Sequence, residues 1–333
     1  MQAIHSDRRG TYVVTYDVAS RLQAFRSRNL LVPSPDDPLF GIFHLSLFKE
    51  IQQALPGMTI NTIEMSELRR KIWDQVESRI TDLSQQAVLS TCLEIADSNP
   101  KSEGLLLNIN RLFDTNGEML GHGPRPGFDC LDRQFDDLVR KIAGRSIVLI
   151  EDGAFTGGTI RFVLQELNSR GLKVTAVIIG FCCTRAKQVL KEVFGGELVI
   201  VNPIENLIDW IPDHDLLPFI PNCGRVLGEQ TSQGFMPVLT AEGFSCAYPY
   251  ILPFGKIEEW ASLPTEGARD LSRLCLDTSI KLFSRVGPEI TIAELLRINP
   301  RVSLPIGIDI NEALPALEKG IVAFLEQMRE RLK

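Results

Sequence analysis

Ser146-Ile-Val-Leu-Ile150-Glu151-Asp152-Gly153-Ala154-Phe155-Thr156-Gly157-Gly158-Thr159 is the stretch that decides how this chain folds. Ile147 to Ile150 is a short apolar block of β-branched and leucine residues, the composition of a strand buried on both faces. Two carboxylates stand at its carboxyl end. The turn after them contains glycines, which reach backbone torsions closed to other residues. A helix then shows an apolar stripe at Ile160, Val163, Leu164 and Leu167, with Gly171 placed to cap its end. Val174 to Ile179 reads as a second buried strand. Strand, loop, helix and strand in this order make the unit of a parallel sheet.

The turn carries the chemistry. Thr156-Gly157-Gly158-Thr159 opens a helix, whose first amides lack acceptors within it and carry a partial positive charge. Small side chains let a phosphate approach that backbone, and two threonine hydroxyls can donate as well. Glu151 and Asp152 lie one turn away, too close to want the same anion. They suit a sugar diol, or the waters of a magnesium ion, which takes few carboxylates directly. A phosphate cradle beside paired acids implies a phosphorylated sugar. The competing reading is an ordinary strand-to-helix turn with a solvated acidic pair.

The segment from Ile147 to Thr159 resembles the phosphoribosyl pyrophosphate (PRPP) signature of the type I phosphoribosyltransferases: four apolar residues, two acids, three variable residues, then Thr-Gly-x-Thr or a near variant. It is not a Walker A loop, because the position that needs lysine holds Thr159. The resemblance implies an α/β, parallel-sheet core with helices on both faces. It implies that Thr156, Gly157, Gly158 and Thr159 hold the 5′-phosphate, with Gly153, Ala154 and Phe155 completing the substrate loop. Glu151 and Asp152 would hold the ribose hydroxyls and, through water, Mg2+. The reaction implied is transfer of phosphoribose to an acceptor, usually a nitrogenous base, with release of pyrophosphate. Two departures stand out. Family members carry an earlier small-residue loop that grips pyrophosphate, for which Asn99-Pro100-Lys101-Ser102 is the nearest candidate. Phe155 occupies a position where some purine-using members place an aspartate as general acid/base.

Around this centre, Thr11 to Tyr16 alternates like a strand, Val18 to Asn29 is weakly helical, and 31–38 is a breaker-rich loop. Ile42 to Leu55 reads as a helix and Met58 to Met65 as a short strand. Ser66 to Ser98 has apolar residues at roughly helical spacing, with a break near Ser84. Leu105 to Leu112 reads as a strand, Asp114 to Gly117 as a turn, and Leu131 to Ile142 as a helix. The Gly/Pro-rich segment between them, with His122 and Arg125, matches the place of a family hood that closes over substrate; both residues are candidates to meet pyrophosphate. A plain surface hairpin is the alternative there. A helix from Ala186 to Phe194 and a strand from Leu198 to Val201 follow. The stretch 209–225 is aromatic, acidic and proline-rich, unlike a helix or a buried strand. It reads either as an irregular cap on the sheet or as the wall that receives the acceptor, with Trp210 or Phe219 stacking on a base and Arg225 meeting an anion. Helices are expected at Glu266 to Ser284, Thr291 to Ile298 and Asn311 to Lys333. The division expected is an N-terminal mixed extension (1–57), the α/β core (58–230) and a mainly helical C-terminal segment (231–333).

At 333 residues the chain has room for a substantial core, and its net charge of −7 and pI near 5.3 give no general affinity for nucleic acid. No apolar run approaches the ~20 residues of a membrane helix, and the first ten residues lack the apolar core of a signal peptide. Seven scattered cysteines, Cys182 and Cys183 adjacent, fit reduced thiols in a cytoplasmic protein. Three functions compete: a Mg2+-dependent phosphoribosyltransferase, a non-catalytic sensor of PRPP or a nucleotide, and a partner-docking protein with a vestigial site. The segment 231–333 leaves a homodimer interface or a partner surface open.

Overall fold

The run Ile147–Ile150 is the fully buried heart of the middle strand of a five-stranded parallel sheet. The computed structural model describes residues 10–80, 82–96, 105–287, 289–307 and 318–332. In chain order the elements begin with β1 (Thr11–Tyr16), α1 (Val18–Arg21), α2 (Gln23–Arg26), α3 (Pro38–Ala54), β2 (Thr59–Glu64) and α4 (Met65–Glu77). Next come β3 (Gln86–Ser90), α5 (Leu93–Ala96), β4 (Leu105–Leu106), β5 (Ile109–Phe113), β6 (Met119–Pro124) and α6 (Leu131–Ile142). The central unit is β7 (Ser146–Ala154), α7 (Gly158–Ser169), β8 (Val174–Cys182), α8 (Thr184–Val193) and β9 (Glu197–Ile200). Then follow β10 (Leu207–Pro212), β11 (Arg225–Thr231), β12 (Gly234–Pro237), β13 (Ser245–Tyr248), α9 (Ile257–Trp260), α10 (Thr265–Val286), α11 (Ile292–Leu296), β14 (Arg301–Ser303) and α12 (Ile321–Glu330).

The parallel sheet runs β4-β3-β7-β8-β9, which is 2-1-3-4-5 along the chain. Chain direction across the sheet reverses between β3 and β7, and such a switch opens a crevice at the strands' carboxyl ends. Alternation divides the apolar residues between two layers. Leu89, Ile147, Leu149, Val177 and Ile179 pack under α6, α7 and α8. Val88, Val148, Ile150, Ala176 and Ile178 pack against α4. The molecule is therefore α/β, with helices on both faces of a parallel sheet.

Two further sheets close around the crevice. One is parallel, β10-β1-β2; the other is mixed, β14-β13-β11-β5-β6, with β12 paired to β11. Residues of the N-terminal stretch, from Tyr12 to Met58, share one hydrophobic cluster with residues from Ile211 to Leu332. Stretches that the sequence set apart, 1–57 and 231–333, thus meet in a common core through their described residues.

Several elements differ from their expectation. The helical reading of Ser66 to Ser98 holds for α4 and the short α5; between them Asp82 accepts a hydrogen bond from the Ser84 amide (2.8 Å) in a turn, and β3 follows inside the sheet. Ala87, Val88 and Leu89 are buried on both faces, and an apolar run of that length has no period to separate strand from helix. Residues 97 and 98, and the candidate pyrophosphate loop at 99–102, lie outside the described residues. Leu105 to Leu112 is two strands in different sheets, β4 and β5. The stretch from residue 209 begins inside a true strand, β10, whose alternate residues Leu207, Asp209 and Ile211 are buried. The segment 231–333 contributes β12, β13 and β14 as well as helices. Of the last helix, 311–317 lie outside the described residues and α12 starts at Ile321.

Candidate functional site

Chain reversal at Gly157 builds the first part of the site. Its φ of +74° places it in the left-handed region, where glycine carries no Cβ penalty, and it forms the N-cap of α7. The first bond inside the helix runs from the Arg161 amide to the Gly157 carbonyl (2.9 Å). The amides ahead of it therefore have no acceptor within the helix, and the dipole puts positive potential there. Gly153 is small for a packing reason: a Cβ there would stand 2.7 Å from the Trp210 ring.

Glu151 and Asp152 follow the fully buried run of β7. Glu151 Oε2 is buried without a hydrogen-bond partner. Burial, and then the neighbouring Asp152 charge, push the Glu151 carboxyl well above the usual range. A carboxyl shifted in this direction holds its proton more firmly than a free one and yields it more readily once a cation stands beside it. The hard oxygen donors fit magnesium held through water. Asp152 also belongs to a group with Cys92 and Glu94 whose ligand atoms lie within 4.8 Å of one another. The Cys92 thiol, kept protonated by burial, donates to Glu94 Oε2 (3.0 Å) and Asp152 Oδ2 (3.5 Å).

These groups open into one cavity of about 450 Å3 between the carboxyl edge of the parallel sheet and the face of the mixed sheet. It is lined by Glu151, Asp152 and the whole Gly153–Thr159 turn, by His122 and Arg125, and by Trp210 and Arg225. Phe219 is the sequence candidate that does not reach it. That ring is buried in the core, edge-on to Phe324 with centroids 5.7 Å apart.

The candidates play different parts from those their residue types suggested. His122 Nε2 lies 3.2 Å from Thr159 Oγ1, and its ring stacks on Phe162 at 4.7 Å. Burial, with help from Arg111, lowers its pKa to about 4, so it is an uncharged hydrogen-bonding group at neutral pH and adds no positive charge. Arg125 is tied to the carbonyls of Thr91 (2.7 Å) and Ile109 (3.4 Å). Its charge is fixed in place by backbone, with no ion pair among the described residues.

The cavity also gathers residues that sequence reading did not single out, among them Arg21, Thr91, Glu94, Arg111, Asp209, Tyr250 and Arg301. Arg21 pairs with Asp17 (2.8 Å) and with Glu94. Asp209 receives the Ser262 hydroxyl and the Trp210 amide, each at 2.8 Å. Burial outweighs those bonds and raises its pKa to about 6. Behind the wall, Asp17, Asp213 and His214 form a buried knot: His214 Nδ1 lies 2.7 Å from Asp17, and Asp213 caps α1 through the amides of Asp17 and Val18, both at 2.9 Å. Signals for these residues were present only as charge inside strands or beside them; their convergence is a product of sheet register. Val226 pairs with Leu112, which sets Arg225 beside Arg111, and Arg111 is itself opposite His122.

Compared with known protein families and with curated proteins, the chain matches none. Among the described residues no helix is long and apolar enough to cross a membrane, and the seven cysteines are buried and free.

Proposed function

We propose that the cavity binds PRPP with Mg2+ and that the chain is a phosphoribosyltransferase of the type I kind, passing phosphoribose to an acceptor, a nitrogenous base in most such reactions, and releasing pyrophosphate. One observation supports this reading above the others: the acid pair and the first turn of α7, whose leading amides have no acceptor within the helix, follow the same strand and line the same cavity. In this reading Thr156, Gly157, Gly158 and Thr159 receive the 5′-phosphate, and His122 steadies the Thr159 hydroxyl. Glu151 and Asp152 hold the ribose hydroxyls and the waters of the metal. When bound, Mg2+ supplies positive charge to the departing pyrophosphate. The C1–pyrophosphate bond loosens toward an oxocarbenium-like state, and the protein contributes position and charge. Arg125, held by two carbonyls, is the fixed cation beside the acids.

A second reading, a sensor that binds PRPP or a nucleotide without turnover, has one observation in its favour. The described residues that leave β3 beside the acid pair, Thr91 to Ala96, present a protonated thiol and Glu94, with no glycine and no base among them. The nearby Arg21 charge is already matched by Asp17 and Glu94. Titration with PRPP, with and without Mg2+, followed by assay of pyrophosphate release over a panel of bases, separates the two. Binding with release supports transfer, binding without release supports the sensor, and absence of binding removes both. A docking role for 231–333 has less support, since buried Ile321, Phe324 and Leu325 of α12 are engaged within the chain's own core.

A further inference from the structure

We propose that the acceptor is a planar ring carrying an anionic group, a carboxylate or similar oxyanion, seated against Arg225 and Arg111. This rests on the phosphoribosyl reading of the cavity. The Arg225 guanidinium lies over three rings, 4.5 Å from the centroid of Phe113, 4.6 Å from Trp260 and 5.0 Å from Tyr250. Ring faces offset part of the loss of water around a cation, but they accept few of its N–H bonds. Arg225 Nε is buried with no partner, and no carboxylate pairs with this side chain among the described residues. A cation taken out of water without a counter-charge is a costly arrangement. An anion entering the cavity would relieve it.

Register supplies the second cation. Arg111 sits next to Arg225 across the β5–β11 pair, lines the same cavity, and is likewise without an ion pair among the described residues. Neighbouring acids are already committed. Both oxygens of Asp209 accept bonds from Ser262 and Trp210, and Asp215 Oδ1 accepts the Gly224 amide at 2.7 Å. Arg21 contrasts with this pair, being matched by two carboxylates. Aromatic lining from Trp210, Tyr250 and the exposed Phe155 offers flat faces to a ring. Arg225 has the Tyr250 hydroxyl as a polar neighbour and Asp215 at longer range, yet a neutral base would bring neither arginine an ion pair, whereas a ring acid meets them with the planar, forked geometry that guanidinium favours.

The test is a titration of the wild-type chain at low salt with matched acid and amide pairs: benzoate and benzamide, pyridine-3-carboxylate and its carboxamide, a pyrimidine carboxylate and its carboxamide. Each is run with and without PRPP and Mg2+. At least one acid is expected to bind at least tenfold more tightly than its amide. That preference should fall at least fivefold in Arg225→Gln and in Arg111→Gln. Arg111 is exposed, so the second variant keeps the test informative where thermal melting shows the first to be unfolded. No acid preference in any pair, or a preference undiminished in the folded variants, overturns the proposal. PRPP binding without acid preference defeats this inference alone. Acid preference without PRPP binding defeats the phosphoribosyl reading and leaves the arginine subsite in place.

Discussion

His122 and Asp209 show how surroundings decide what a residue type can do. A histidine whose folded value is near 4, below its ordinary 6.5, is neutral at pH 7; acidification from 6.5 toward 4 charges it in the unfolded chain first and so weakens the fold. Its imidazole resonance is expected to titrate in NMR with a midpoint near 4. A midpoint between 6 and 7 would return it to the role of a cation. Asp209 has the opposite sign of consequence. Its folded value of about 6, above the ordinary 3.8, makes the native state hold the proton more strongly, so stability drops as pH climbs from about 4 through 6 and then levels off. The full difference corresponds to about 3 kcal/mol. Asp209→Asn should therefore raise the melting temperature at pH 7.5 and change it little at pH 4. Equal shifts at both values would deny that burial of the charge is the cause.

At the scale of elements, the site depends on two glycines with different reasons to be there. Gly157→Ala forces an L side chain into the left-handed region and is expected to cost about 1–2 kcal/mol in urea unfolding. Gly180 is a packing requirement on β8: a Cβ would stand 2.3 Å from the Asp152 carbonyl. Gly180→Ala should displace β7 at the acid pair and cost about 1–3 kcal/mol. If PRPP affinity survived Gly180→Ala unchanged, the acids would not be what the strand end is built to present. The β7–α7–β8 unit was legible because apolar blocks, acids and glycines follow one another in sequence. Leu131–Ile142 was legible for a similar reason, its stripe of Phe135, Leu138 and Ile142 having the helix period. β3 was not: Gln86–Ser90 has no period of its own, and only pairing with β7 and β4 makes it a strand. Leu207–Pro212 alternates, yet Asp209 and Pro212 hide the pattern until β1 supplies the partner.

For the molecule as a whole, the glycine-threonine turn is local while the cavity is not. Residues 151–159 could be read together because they are contiguous. Arg225, Arg111 and His122 are far apart in sequence and become a row only when β11, β5 and β6 align. The apolar surfaces of the first sixty residues and the last hundred or so are likewise shared in one cluster, which no linear pattern announces. A chain cut after residue 230 would leave Tyr12, Phe25 and Phe43 uncovered and is expected to bind a hydrophobic dye and to melt without cooperativity. The intact chain should unfold in one transition; a separate melt for 231–333 would mean that the shared core does not couple them.

The central claim is that the acid pair and the glycine-threonine turn together receive a phosphorylated ribose. Isothermal titration of PRPP with Mg2+ into the wild-type chain and Asp152→Asn, with Thr156→Ala alongside, tests it most directly. Saturable binding is predicted for the wild type, with affinity about tenfold or more weaker in each folded variant, the size of a lost charge-assisted contact. No heat of binding in the wild type, or the same affinity in all three proteins, would contradict it.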